Sequence, residues 1–280
     1  MRQPSPSETE RVRSLAATAT PTAAALADNP DTPFNVAGAV DHAGRVVLWV
    51  AAHHPLHEAV REGRRADPGP EVGVDLSAIR RVGRTSTVRA RLWCQGRAEA
   101  VPAHERRSAA LTVWERHPDE GLLAAAALRP EPDAPVLLRM APRRVFYHTY
   151  DAAGVVEGAA FTLTRPDPVA KPAEEIVERV NDRYRDELTR AACRLPGAPQ
   201  GRAWLWELDA RGATVWVDVA GGADAALVRV PWSAPARTVC RLERALFGFL
   251  ADGGAESGAD AGTSPVRGRP CRRAHRHRTD

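Results

Sequence analysis

Apolar positions recur at helical spacing near both ends of this chain and at strand spacing between them. Near the start, Val12, Leu15, Ala16 and Ala19 fall on one face of a helix expected over residues 8–26. Residues 33–161 then read as strands with helical insertions. The segments 35–40 and 45–50 are expected to pair across "DHAG", where Gly44 supplies the positive φ of a tight turn. A short helix over 55–63 tolerates Pro55 in its first turn. Strands are expected over 71–76 and 85–101. In the second, Val88, Ala90, Leu92 and Cys94 alternate with period two, and Gly96 marks a bulge. After a helix over 103–115, "VLLRM" (136–140) and "VFYHTY" (145–150) return to β on either side of "APRR". This order predicts a small closed or split barrel with helices plugging its ends.

Pro166, Pro168 and Pro172 then disfavour both helix and central strand over residues 164–172. Beyond them Ile176, Val177, Val180, Tyr184, Leu188 and Ala192 share one face of a single expected helix, with Glu174 and Glu175 at its positive end. Strands over 203–208 and 213–219 flank "DARG", and 226–230 is a third. Ser233 is the expected N-cap of a closing helix with Val239, Leu242, Ala245, Leu246, Phe249 and Leu250 as its buried stripe. The tail turns to Gly, Ala, Ser and Asp and then to "RGRPCRRAHRHRTD", a composition expected to be disordered alone. The fold class is therefore α+β: a split β-barrel domain (8–163), a Pro-rich linker (164–172), a smaller α+β domain of helix, antiparallel strands and helix (173–252), and a basic tail (253–280).

Composition adds limits. At 280 residues and 44% hydrophobic content the chain suits one large or two modest domains. No apolar run approaches the ~20 residues of a membrane span. The polar start "MRQPSPSETERVRS" lacks a signal peptide's apolar stretch, so the cytoplasm is expected. Cys94, Cys193, Cys240 and Cys271 are widely spread and read as free thiols. Net charge is +4, and Lys171 is the only lysine, a bias expected of a GC-rich genome such as an actinobacterial one. Because the arginines are interleaved with acids, nucleic-acid binding is not expected of the folded part.

No dinucleotide fingerprint, P-loop, zinc-protease or serine-elbow motif occurs, and no catalytic residue is assigned. His53 and His54 sit at a strand end with His57 one helical turn on, either as metal or haem ligands or as a solvated corner. No metal site is assigned. His148 alternates with Phe146 and Tyr150 and is read as a satisfied core histidine or as lining a cleft. His42, His104 and His117 read as solvated. Trp204 and Trp206 share a strand face opposite Trp216, either to stack on a planar ligand or to pack a sheet or subunit interface.

Three phrases carry a resemblance: "NDRYRDEL" (181–188), "LDARG" (208–212) and "RVPWSAP" (229–235), with "LLRMAPRRV" near the end of the barrel half. Residues 8–252 resemble the pyridoxamine-phosphate-oxidase-like, FMN-binding split barrels that carry a C-terminal haem-utilisation domain (domain of unknown function 2470), of actinobacterial type. The resemblance implies a homodimer paired through barrel strands, with ligand sites built across the interface and haem or FMN as cofactor. In split-barrel haem oxygenases a C-terminal loop histidine ligates the iron, which implies His275 or His277 here, in a tail whose other reading is a solvated cationic arm.

The sequence departs from the family in two places. Tyr184 and Arg183 stand where relatives carry His and Asp, and a neutral phenol cannot replace an imidazole at pH 7. The corner that holds the FMN phosphate in flavin-binding members is "VAAHHPLHEAV" (50–60), with no Ser or Thr. "IRRVGRTST" (79–87) offers cations and hydroxyls elsewhere, or is a solvated strand edge. The functional expectation is a haem- or flavin-linked protein of the haem-utilisation type, in one form a haem-degrading oxidoreductase. The alternative is a non-enzymatic binding or regulatory scaffold that has lost its cofactor.

Overall fold

The structure, a computed structural model, describes residues 6–63, 69–127, 131–219 and 225–252. The tail, with Cys271, His275 and His277, lies outside the described residues. In chain order the elements are α1 (Glu8–Thr18), β1 (Thr20–Leu26), β2 (Asn29–Asn35), β3 (Ala37–Val40), β4 (Val46–Val50), α2 (Pro55–Gly63), β5 (Glu71–Val82) and β6 (Thr85–Ala100). A 3-10 turn (Ala103–Glu105) leads into α3 (Arg106–Trp114) and α4 (Gly121–Ala125), then β7 (Val136–Thr149), β8 (Ala153–Glu157) and α5 (Gly158–Leu163). The C-terminal part holds α6 (Ala170–Arg183), α7 (Arg185–Cys193), β9 (Gly201–Asp209), β10 (Gly212–Val219), β11 (Ala225–Pro231) and α8 (Val239–Asp252).

The first eight strands form one antiparallel sheet, ordered β2-β1-β5-β6-β7-β4-β3, with β8 on β7. Its inner face gathers Val74, Leu76, Leu92, Leu138, Met140 and Val145, plugged by Leu15 of α1, Leu56 of α2 and Phe161 of α5. Part of the outer face is covered too: α3 and α4 bury Val113 and Leu122 against Val47 and Leu137. The second sheet, β11-β10-β9, packs one face on α6, α7 and α8 through Val177, Leu188, Leu205, Val215 and Leu246.

Several expectations hold in detail. Gly44 has φ 85° in the turn, where Asp41 Oδ1 accepts from the Arg45 backbone. The register shifts at Gly96, opposite the extra residue Arg143; a Cβ on Gly96 would stand 2.3 Å from the Ala141 carbonyl oxygen. The phrases "LDARG" and "RVPWSAP" meet at one corner and lock it. Asp209 Oδ1 accepts from the Arg211 and Gly212 backbones, Arg229 forks onto both Asp209 oxygens at 2.8 and 2.7 Å, and Trp232 Nε1 donates to the Asp209 carbonyl. These residues close the β9–β10 hairpin onto the end of β11.

Other expectations are corrected. The first helix ends at Thr18, and 20–26 is β1. Thr20 precedes Pro21, which disfavours α backbone, and the Ala19 amide already closes the helix onto the Leu15 carbonyl. "VLLRM" and "VFYHTY" are one strand, β7, because the bulge at Arg143 absorbs what reads as a break. Pro172 stands in the first turn of α6, so that helix begins inside the expected linker. Thr238, not Ser233, caps α8: its Oγ1 accepts from the Arg241 amide.

The single helix expected through Tyr184 is two. Asn181 Oδ1 and Nδ2 bond the amide and carbonyl of Leu205, and Thr189 Oγ1 accepts from the Ala203 amide. A straight helix advances about 12 Å between positions 181 and 189. Two strand residues span about 7 Å. The break at Tyr184, φ −123° and ψ 24°, lets both side chains reach the edge of β9.

Candidate functional site

The sheet alternation decides which barrel side chains face outward. Across β5, β6, β7 and β8 the register aligns Asp75, Trp93, Phe146 and Val155 in one row, with Ser77, Arg91, His148 and Ala153 in the next. Leu76, Leu92, Val145 and Tyr147 point the other way into the core. The outward row is apolar yet open. Trp93 is 42% exposed and Val155 47%, with Ile79 and Val88 also exposed on the same side. The Trp93 and Phe146 rings pack 5.2 Å apart. Helices α3 and α4 cover the other end of this face and stop short of the row.

Beside Trp93 runs a groove of about 640 Å³ between β1–β2 and β5–β6. Its floor is small and flat, with Ala23, Ala25 and Gly73, and its rim carries Asp75, Arg143 and Arg144. The Trp93 indole lies over Gly73, where a Cβ would stand 2.6 Å from its Nε1. Partial burial raises the Asp75 pKa, and Arg91 works against that rise. Arg143 pairs with Glu71, and Arg144 lies 3.8 Å from Glu157. A flat apolar floor with cations at the rim suits a planar anionic ligand or the edge of a partner sheet.

His148 belongs to this face. It is exposed on β7, two residues from Phe146 and paired with Arg91, so it is not a core histidine. The candidate histidines His53, His54 and His57 sit apart at the barrel corner. His54 Nδ1 accepts from the Leu56 amide and so caps α2. Burial and the neighbouring His57 lower its pKa, keeping the ring neutral for that bond. His57 Nδ1 is 2.6 Å from the Ala52 carbonyl oxygen, and His53 is an exposed side chain 3.3 Å from Asp133. Among the described residues no group of three or more His, Cys, Asp and Glu side chains gathers as a metal site.

The same corner shows how a flavin phosphate would fare there. The His54 amide donates to the Ala51 carbonyl, those of His57 and Glu58 to the His54 carbonyl, and that of Leu56 to the His54 ring. The backbone donors that a phosphate would need at the start of α2 are spent within the chain. The residues present do not fit the phosphate at this corner. No signal in the sequence separates such a self-capped corner from a binding one except the absent Ser and Thr.

Trp206 and Trp216 pack against each other on the second sheet and against the barrel. Trp206 is the extra residue of a bulge in β9, 1% exposed. Its ring packs 4.8 Å from Trp216 and 6.3 Å from Tyr150 of the barrel. Tyr150 Oη donates to the Ala225 carbonyl. Arg89 is likewise the extra residue of a bulge, in β6, and reaches Glu174 at 3.0 Å. Arg80 donates from Nε to the Trp206 carbonyl and pairs with the same Glu174 at 2.9 Å. Arg11 joins Asp151 and Glu207. Bulges re-aim side chains, and here one in each sheet fastens the two together.

No family model matches this sequence, and no curated protein matches it. Among solved structures, a haem-binding protein from Mycobacterium smegmatis is similar over 91% of this chain and 100% of its own, with 21% identity and a TM-score of 0.57. A protein of unknown function from Agrobacterium tumefaciens is similar over 88% of this chain and 97% of its own, at 23% identity and TM-score 0.39. An FAD- and haem-binding protein from Mycobacterium smegmatis is similar over 55% and 82%, at 20% identity and TM-score 0.38. The full-length likeness to the first shows the fold: a curled antiparallel split-barrel sheet with helices and a second small sheet. No helix among the described residues is long and apolar enough to cross a membrane.

Proposed function

We propose that this chain is a haem-utilisation-type split-barrel protein that works as a homodimer and takes a planar tetrapyrrole on the outer face of the barrel sheet. The observation that carries this is the open apolar row Trp93–Phe146–Val155 beside the groove rimmed by Arg143 and Arg144. On this reading residues 8–163 are the binding domain and 173–252 the haem-utilisation-like domain, joined through 164–172. A second copy covers the row, and the ligand lies where the copies meet.

The donor set on this face suits haem better than flavin. Trp93 offers a ring to stack on, His148 an imidazole, and Arg143 and Arg144 cations for propionates. Haem, when bound, supplies the redox and oxygen chemistry. The chain's own residues orient it: Trp93 and the alanine floor exclude water, and the arginines hold the carboxylates at the rim. His53, His54 and His57 serve the corner, and His275 or His277 supplies a second imidazole if the tail reaches this face. The haem-binding protein with the same fold supports the ligand class.

A haemin titration of the full chain followed at the Soret band tests this. Binding at a stoichiometry of one haem per chain, with the affinity lowered at least about tenfold in Trp93→Ala and the band shifted in His148→Ala, is the expected result. Equal binding by both variants and the wild type would place the haem elsewhere. Bound flavin in the purified protein, seen as an absorption band near the blue, would favour the flavin reading over this one.

A further inference from the structure

A second cleft, of about 440 Å³, opens between the tip of the β5–β6 hairpin and the break between α6 and α7. We propose that it binds a small molecule carrying a phosphomonoester or pyrophosphate group.

Four exposed arginines converge there from the two sheets' surroundings. Arg81 and Arg84 come from the hairpin, Arg183 and Arg185 from either side of the helix break. In a continuous helix, positions two apart point about 200° from each other. The break at Tyr184 instead brings both arginines to one cleft. The hairpin is held close by a two-residue turn with Gly83 at φ 61°, where a Cβ would stand 3.7 Å from the Trp204 ring. Trp204 forms the cleft wall.

The charge is not balanced by the chain. Arg80, 3% exposed, lies at the floor and shares Glu174 with the buried Arg89. Two buried guanidinium groups thus hold one carboxylate between them. The Arg80–Glu174 contact is an ion pair whose Nη2 donors point off the hydrogen-bond line, so that nitrogen has no hydrogen-bond acceptor. The lining also carries Glu178, Asp182 and Asp186, which leaves five arginines against three carboxylates, an excess of two positive charges. Among the described residues Arg81, Arg84, Arg183 and Arg185 form no ion pair with those acids. A dianion neutralises the excess, and arginine forks match the spacing of phosphate oxygens. The volume admits a phosphorylated metabolite but not a duplex.

Calorimetric titration of the full chain with inorganic pyrophosphate at low ionic strength tests the site. The double variants Arg81→Ala/Arg84→Ala and Arg183→Ala/Arg185→Ala act at exposed, unpaired side chains, so their melting curves match the wild type. Each is expected to weaken binding at least about tenfold, while Arg143→Ala/Arg144→Ala on the outer barrel face leaves it unchanged. Affinity falls as salt is raised. No heat of binding at a pyrophosphate concentration of about 1 mM, or equal binding by all the variants, would overturn the proposal. So would tighter binding of duplex DNA through the same arginines, which would make the cleft part of a nucleic-acid surface. A haem titration is unaffected by either double variant, which keeps this site separate from the outer face of the barrel.

Discussion

Two sheet faces in this molecule carry the same kind of side chain and meet opposite fates. On the C-terminal sheet, Trp206 and Trp216 lie against Tyr150, and Trp206 is 1% exposed. On the barrel sheet, Trp93 lies against Phe146 and is 42% exposed. The first face is covered from within the chain, and its acceptors find partners there: the Trp206 carbonyl in Arg80, Glu174 in Arg80 and Arg89, Glu207 in Arg11. The second has α3 and α4 over one end only. Aromatic content alone therefore says little about function. What matters is whether the fold supplies a cover, and a contiguous open apolar patch points to an occupant from outside.

The largest expected effect breaks the covered face. Trp206→Ala removes a wholly buried ring and should lower stability by about 3–5 kcal/mol in urea unfolding. Trp93→Ala, measured on the monomer, should cost under about 1 kcal/mol. Equal losses would erase the distinction between the faces. Next comes Glu174→Ala, which leaves Arg80 and Arg89 buried without their shared carboxylate. It should cost about 2–3 kcal/mol, less than a fully buried pair because Glu174 is 24% exposed. Glu174→Gln keeps an acceptor and should cost less than Ala.

The smallest effect is a pH dependence at the same interface. Partial burial works to raise the Asp151 pKa, but hydrogen bonding and charge from Arg11, with help from Thr149, hold it below its ordinary value. A carboxyl depressed in the folded state contributes fully above its unfolded pKa of about 4 and loses that contribution as pH falls through the folded value. Asp151→Asn should thus be less stable than the wild type at neutral pH and equal to it in strong acid. A difference that persists at the acid end would mean that the loss is packing, not charge.

Much of this fold is legible in the sequence, and the parts that are not share a cause. Val12, Leu15, Gly44, Gly96 and the Asp209 corner are fixed by local rules: helical period, a turn's φ, a bulge, an Asx bond. Strand β1 hid in an Ala and Thr run with no period of two, and β7 hid its continuity behind Pro142. The helix break at Tyr184 depends on two side chains reaching a distant strand edge. The bulged Arg89 and Trp206 are set by the other sheet. At the candidate site, the sequence leaves His148 open between core and cleft because Phe146 and Tyr150 beside it are apolar. A strand with apolar residues on both faces does not say which face is inside. The groove by Trp93 has no sequence signal, since its floor is built from alanines and a glycine on two strands.

The central claim is that a second copy covers the open face. Light scattering of the full chain at micromolar concentration tests it directly. The account predicts twice the 30.3 kDa chain mass for the wild type and a shift toward the monomer in Trp93→Glu, with circular dichroism unchanged. A wild-type mass of 30.3 kDa across that range would contradict it.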